Sequence, residues 1–253
     1  METTTGFWKE WWNNNAHGNT SDYEVDRGVA VPIDELEKRS LAQFLRAVDP
    51  SPTDYVLDAG CGTGVNLSRL SPLVKSIVGL DFSGEMLKRA EQRITRDGLL
   101  NVTTAVGNVL KIEYPSKHFD KVICMSVLQF LNDEEREAAL REMARVCKMG
   151  GRIILHVKNR TSLYGVSRAL LQFVSKLVHK RFSPDHYRPR VWYEEAIKRA
   201  GGEIIDYDSF GIITFVPLPA AVLRWLLRLE MRLIRGRWFK RYGVNYKITV
   251  RVC

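Results

Sequence analysis

Three glycines at alternate positions in VLDAGCGTG (56–64) follow directly on a run with the apolar character of a buried strand. A chain drops its side chains where a strand hands over to a helix when the backbone must turn tightly or let something approach where a Cβ would collide. The surrounding pattern extends this: strand-like runs at 55–59, 76–81, 102–106, 120–125 and 151–157 alternate with helix-like runs at about 63–72, 83–97 and 133–147. Such alternation predicts an α/β fold, a doubly wound and mostly parallel sheet. In open parallel sheets ligands bind beyond the carboxyl ends of the strands, and the first strand-to-helix turn is the usual cradle. Gly60, Gly62 and Gly64 are thus expected to shape a ligand site, with their amide N–H groups and the start of the next helix facing a carboxylate or phosphate.

A second motif sharpens that expectation. IVGLDFS (77–83) ends the second strand on Asp81, where a carboxylate can accept two hydrogen bonds from ribose hydroxyls. Asp81 could instead cap the following helix, but Ser83 is better placed for that role.

At 253 residues, 45% of them hydrophobic, the chain has material for one α/β domain with insertions. Its four cysteines, Cys61, Cys124, Cys147 and Cys253, are widely spaced with no paired ligand pattern, which argues against a zinc site or a disulfide framework. The amino-terminal METTTGFWKEWWNNN lacks a basic stretch followed by an apolar core, so a cytoplasmic protein is expected. Residues 1–31 are expected to form an irregular lid or a short helix, and 32–48 a helix. Residues 1–48 then stand as lid and helix before a domain at 49–253.

VLDAGCGTG, VGLDFS, FDKVICMSVLQFL (119–131) and GGRIIL (150–155) together resemble the successive motifs of class I S-adenosylmethionine-dependent methyltransferases, in the small-molecule, type 11-like branch. The resemblance runs from about 50 to 158 and implies a Rossmann-like, seven-stranded sheet, with S-adenosyl-L-methionine as cofactor and S-adenosyl-L-homocysteine as product. Laid on matching positions, it places Asp58 near the cofactor's ammonium and Gly60, Cys61 and Gly62 along its amino-acid end. Asp81 falls at the ribose and Phe82 and Met86 beside the adenine. Asn108, where family members often carry an acid, and Val109 fall near the adenine amino group, and Met125 and Ser126 near the reacting methyl. Tyr23 and Arg27 fall in the lid over the cofactor.

Relatives often carry a histidine where this chain has Gln129, so no general base follows from the core motifs. His156, His186, Tyr187 and Gln129 are the candidates for the chemistry, with His17 and Tyr23 further titratable or hydrogen-bonding groups that could face the cleft. His156 closes the fifth strand, and His186 lies between two prolines in FSPDHYRPR. VWYEEAIKRAGGEIIDYDSF (191–210) supplies a helix and a sixth strand, and VNYKITVRV (244–252) the last strand.

Two stretches remain, predicted as amphipathic helical insertions near the carboxyl terminus at about 160–182 and 216–241. In the second, Arg224, Arg228, Arg232 and Arg235 recur every three or four positions along one helix face, opposite Leu223, Trp225, Leu226 and Leu233. With a net charge of +9, this helix fits the headgroup layer of an anionic membrane. A cap over the active site or a dimer interface would use the same face, leaving monomer and homodimer both open. The uncharged run 209–223 is shorter than the roughly 18 residues of a spanning helix. Arginines interleaved with large aliphatics suit a nucleic acid poorly.

The expectation for function is methyl transfer, first to oxygen, to a lipid-linked, polyprenoid or other apolar small molecule at a membrane surface. The expected location is cytoplasmic, peripheral on the inner face of the membrane. Two alternatives stand beside it: a soluble natural-product or sugar O-methyltransferase, and an inactive cofactor-binding scaffold subunit.

Overall fold

The computed structural model describes residues 4–16, 34–162, 187–210 and 245–253. Within them seven strands form one sheet: β1 (Tyr55–Ala59), β2 (Ser76–Asp81), β3 (Val102–Val106), β4 (Phe119–Met125), β5 (Cys147–Lys158), β6 (Gly202–Phe210) and β7 (Asn245–Val252). Their spatial order is β3-β2-β1-β4-β5-β7-β6. The first five are parallel, and β7 slots between β5 and β6 antiparallel to both. The mostly parallel, doubly wound sheet expected from the alternation is what forms.

Side-chain alternation sorts each central strand between two cores. Leu57, Val122, Ile153 and Leu155 face one side, where α5 (Asp133–Val146) and α6 (Arg190–Arg199) add Leu140, Met143, Tyr193 and Ile197. Val56, Ile123 and Ile154 face the other, against α2 (Asp34–Val48), α3 (Val65–Leu70) and α4 (Gly84–Arg96). Phe44 and Val48 of α2 are buried there, each worth about 1.5–3 kcal/mol of apolar burial. The α2 helix is therefore a structural layer of the sheet domain.

Local chemistry sets the helix ends. Ser83 caps α4, accepting from the Met86 amide at 3.2 Å. Asn132 and Glu135 close a reciprocal capping box on α5, whose first turn carries three acids that suit the helix's positive end. The helix expected over 63–72 is shorter. Gly64, at φ +79°, precedes it, and after Leu70 the chain tightens into a 3-10 turn, Ser71–Leu73, in which Pro72 has no N–H for the α ladder.

At the amino terminus, the described part is the helix α1 (Thr4–Ala16). Trp12 packs on buried Met86 of α4. Trp8 lies 4.4 Å, centroid to centroid, from Phe130 in the 3-10 turn Leu128–Phe130. The expected insertions at about 160–182 and 216–241 lie outside the described residues from 163 and throughout, respectively, as do Arg224, Arg228, Arg232 and Arg235. Among the described residues no helix is long and apolar enough to cross a membrane.

Candidate active site

The glycine turn joins β1 to α3 beside the end of β2. Gly60 adopts φ +86°, and a Cβ built there would fall 2.2 Å from Val127 Cγ2, so both conformation and space demand glycine. The turn does not present its amides as expected. Gly60 and Cys61 both donate to the Leu80 carbonyl, at 2.7 and 3.0 Å, Gly62 donates to Asp81 Oδ2 at 2.9 Å, and Gly64 donates to the Cys61 carbonyl at 3.0 Å. These donors are consumed in folding the turn back onto β2. The expectation of an amide cradle for an anion is corrected accordingly: the glycines supply room for close approach, and the charged groups come from carboxylates.

Two such carboxylates are buried at adjacent strand ends. Asp58 is fully buried on β1, close enough to Cys124 that its charge adds to burial in pushing that thiol's pKa up. Asp81 is 7% exposed on β2. Burial raises its pKa, against the lowering effect of amide hydrogen bonds from Ser83, Gly62 and Phe82. A buried carboxylate is costly unless hydrogen-bonded or paired with positive charge. A ligand with an ammonium at one end and a diol further along, lying across a side-chain-free turn, matches this pair, so the residues fit S-adenosyl-L-methionine.

Helix α1 reaches the same place. Ser83 Oγ donates to Asn13 Oδ1 at 2.6 Å, tying α1 to the residues just after Asp81. Phe82 is half-buried and Met86 lies beneath Trp12. Other expected contacts are turned away. The Cys61 side chain packs into the core with Leu67, and Val109 into the opposite core with Leu80 and Ile112. Asn108 Oδ1 accepts the Leu110 amide at 2.9 Å in a local turn, which engages the oxygen expected to face the adenine.

At the ends of β4 and β5 the sheet brings together residues distant in sequence. Met125 is in register with His156, and Ser126, the next residue, has φ +64°, a conformation a non-glycine residue holds at a cost of about 1–3 kcal/mol. Its amide donates to the His156 carbonyl at 3.1 Å, and its Oγ lies 2.6 Å from His156 Nδ1. The register continues through Lys247 on β7 to Asp208 on β6, whose Oδ2 accepts from Gln43 of α2 at 3.0 Å.

Gln129 follows in the 3-10 turn, nine-tenths buried, and its Oε1 has no hydrogen-bond partner. That turn is clamped from behind by Arg136, a fully buried guanidinium that donates to the Leu128 and Leu131 carbonyls and to Asp133. Asp133 also receives a two-pronged contact from Arg188, at 2.8 and 2.6 Å, which fixes Tyr187 near the end of β5, where Asn159 bridges Arg188.

Met125, Ser126 and His156 thus come together at the carboxyl ends of β4 and β5, with Gln129 in the turn that follows β4 and Tyr187 beside the residue that bridges Asn159. His17, Tyr23, Arg27 and His186 lie outside the described residues. Sequence reasoning missed the packing of Trp8 on Phe130, Trp12 on Met86, Asn13 on Ser83 and Val127 on Gly60, and Arg136 behind the 128–131 turn. The one local signal was the spacing of Trp8 and Trp12, one helical turn apart.

Residues 56–151 match the profile described as "Methyltransferase domain". A phosphatidylethanolamine N-methyltransferase of Cereibacter sphaeroides is 33% identical over 61% of this chain and 78% of its own length. A ubiquinone biosynthesis O-methyltransferase of Xanthomonas euvesicatoria is 26% identical over 78% of this chain and 88% of its own. Among solved structures, the geranyl diphosphate C-methyltransferase of Streptomyces coelicolor, in complex with Mg2+, geranyl diphosphate and S-adenosyl-L-homocysteine, superposes with a TM-score of 0.66. It covers 99% of this chain and 98% of its own at 16% identity, a likeness of fold. S-adenosyl-L-methionine, the family's cofactor, supplies a methyl group made electrophilic by its sulfonium. The protein is an enzyme of this kind: the chain belongs to the class I S-adenosylmethionine-dependent methyltransferases.

Proposed function

We propose that the methyl group goes to an amphiphilic, lipid-class acceptor at a membrane surface, with oxygen the first acceptor atom. The observation that carries this reading is where the basic amphipathic segment is rooted. Phe210 and Asn245, which bracket residues 211–244, are paired on β6 and β7 at the edge of the sheet where β5 carries His156 and Lys158. Residues 163–186 likewise leave and rejoin at that edge, between Ser162 and Tyr187. Arg224, Arg228, Arg232 and Arg235 therefore belong to a segment anchored beside the reacting groups. A surface that holds the headgroup layer there would present an acceptor directly to the site.

The named sequence relatives support an acceptor with a large apolar part, since phosphatidylethanolamine and a ubiquinone precursor each carry one. They divide between nitrogen and oxygen. The Ser126–His156 contact supports an acceptor that must lose a proton, because a hydroxyl paired with an imidazole can act as a general base.

The test joins binding to turnover. Sedimentation with anionic vesicles should fall as salt rises and be lost in Arg224→Glu/Arg228→Glu, while the same vesicles carrying quinol or aminophospholipid headgroups should take up label from methyl-labelled cofactor. Retention in solution at low salt, with labelling of water-soluble phenols or sugars only, would replace this reading with the soluble one.

A further inference from the structure

We propose that Ser126 is the residue that meets the acceptor's proton and that His156 acts through it, the two forming a relay at the ends of β4 and β5. The inference rests on the reading of an acceptor that must be deprotonated. Three observations carry it. The ring nitrogen that meets Ser126 is Nδ1 of His156, while Nε2 is buried. Nδ1 is in turn covered by Ser126 Oγ, 2.6 Å away, while Ser126 itself is half-buried. Finally, Ser126 is held at φ +64°, with its amide on the His156 carbonyl, so backbone and hydroxyl are both fixed relative to the ring. Left-handed backbone at a non-glycine residue on a strand end is the kind of strain that collects at functional sites.

As the acceptor oxygen's lone pair forms the new bond to the methyl carbon, the carbon–sulfur bond breaks and its electrons stay on sulfur. The proton released from that oxygen passes to Ser126 Oγ while the hydroxyl's own proton passes to His156 Nδ1, leaving an imidazolium that returns its proton to solvent after product leaves. An amine acceptor in its neutral form would lose its proton by the same route. For this, His156 must begin neutral with Nδ1 bare. The charged groups sharing its sheet face are Lys247 directly across on β7, Lys158 two residues on, Asp208 one strand further away and Asp58 on β1, with Gln43 uncharged. Met125 on β4 is apolar.

The tautomer decides the direction of the relay without any acceptor. Nitrogen-15 spectra of the full chain, with the His156 signals assigned by their loss in His156→Gln, should show Nδ1 unprotonated at neutral pH and a change in its shift in Ser126→Gly. A protonated Nδ1 at neutral pH overturns the proposal, since the ring would then donate to Ser126.

Turnover supplies the second arm. Ser126→Gly, which tolerates φ +64°, should lower kcat by about a hundredfold or more, and should flatten the acid limb of the kcat profile. Ser126→Gly/His156→Gln should be no slower than either single variant. Full kcat with the acid limb intact in Ser126→Gly overturns the relay. A wild type that turns over no oxygen or nitrogen acceptor would refute the acceptor reading, and the tautomer would still decide the relay.

Discussion

The β1–β2 end of the site and the β4–β5–β7 end obey different rules. At β1–β2 the donors of Gly60, Cys61, Gly62 and Gly64 are all engaged within the protein, and the ligand is left a bare turn between two buried carboxylates. At β4–β5–β7 a serine is strained, Gln129 Oε1 is buried without a partner, and both long inserted segments begin and end. A turn whose amide donors are all engaged is held in one shape. A half with buried polar capacity to spare gains most from the ligand that satisfies it. On the proposed reading, cofactor recognition and acceptor recognition would be separated along one edge of a single sheet.

The largest test of that separation lies behind the acceptor half. Arg136→Met removes a buried guanidinium that holds two carbonyls of the 128–131 turn and should cost about 3 kcal/mol in denaturant unfolding. In a chain that stays folded at lower temperature, acceptor KM should rise far more than the cofactor Kd. Equal loss in both would dissolve the distinction.

Gly60→Ala attacks the other half. The new methyl group meets Val127 and takes a disfavoured φ, so stability should drop by about 2–4 kcal/mol and cofactor binding should disappear in calorimetry. Adding Val127→Ala should restore part of the stability, the part due to collision alone.

Asp81→Asn should keep the fold and weaken cofactor binding by about 2 kcal/mol. In the wild type the sign of the pH effect follows from burial, which raises the Asp81 pKa. Protonation removes an acceptor, so affinity should fall on acidification, beginning at a higher pH than an ordinary carboxylate would give. Affinity that stays flat down to the ordinary carboxylate range would remove Asp81 from the contact. The smallest effect is expected for Asn13→Ala: loss of one hydrogen bond, about 1 kcal/mol, should appear as faster amide exchange in α1 with little change in overall stability.

What was legible in the chain follows the range of the forces involved. Strands at 55–59, 76–81 and 102–106 coincide with expectation because glycine, alternation and helix caps are local signals. The glycine turn could be recognised by its missing side chains, yet the direction of its N–H groups depends on where β2 ends, and that expectation failed. His156 was suspected from its place at a strand end. Its contact with Ser126 depends on parallel register across the α5 crossover, which no short stretch encodes. The docking of Trp8 on Phe130 and of Asn13 on Ser83 joins residues more than sixty positions apart, and for the same reason was invisible.

The space between Gly60 and Val127 has one last consequence. The glycine turn and the turn that carries Gln129 are packed with less than a methyl group between them, so on the proposed reading a ligand held at one would be felt at the other. Such linkage is reciprocal: whatever factor a bound acceptor imposes on the cofactor's affinity, the cofactor imposes on the acceptor's. Order of addition in a kinetic experiment would then report the packing of one valine against one glycine.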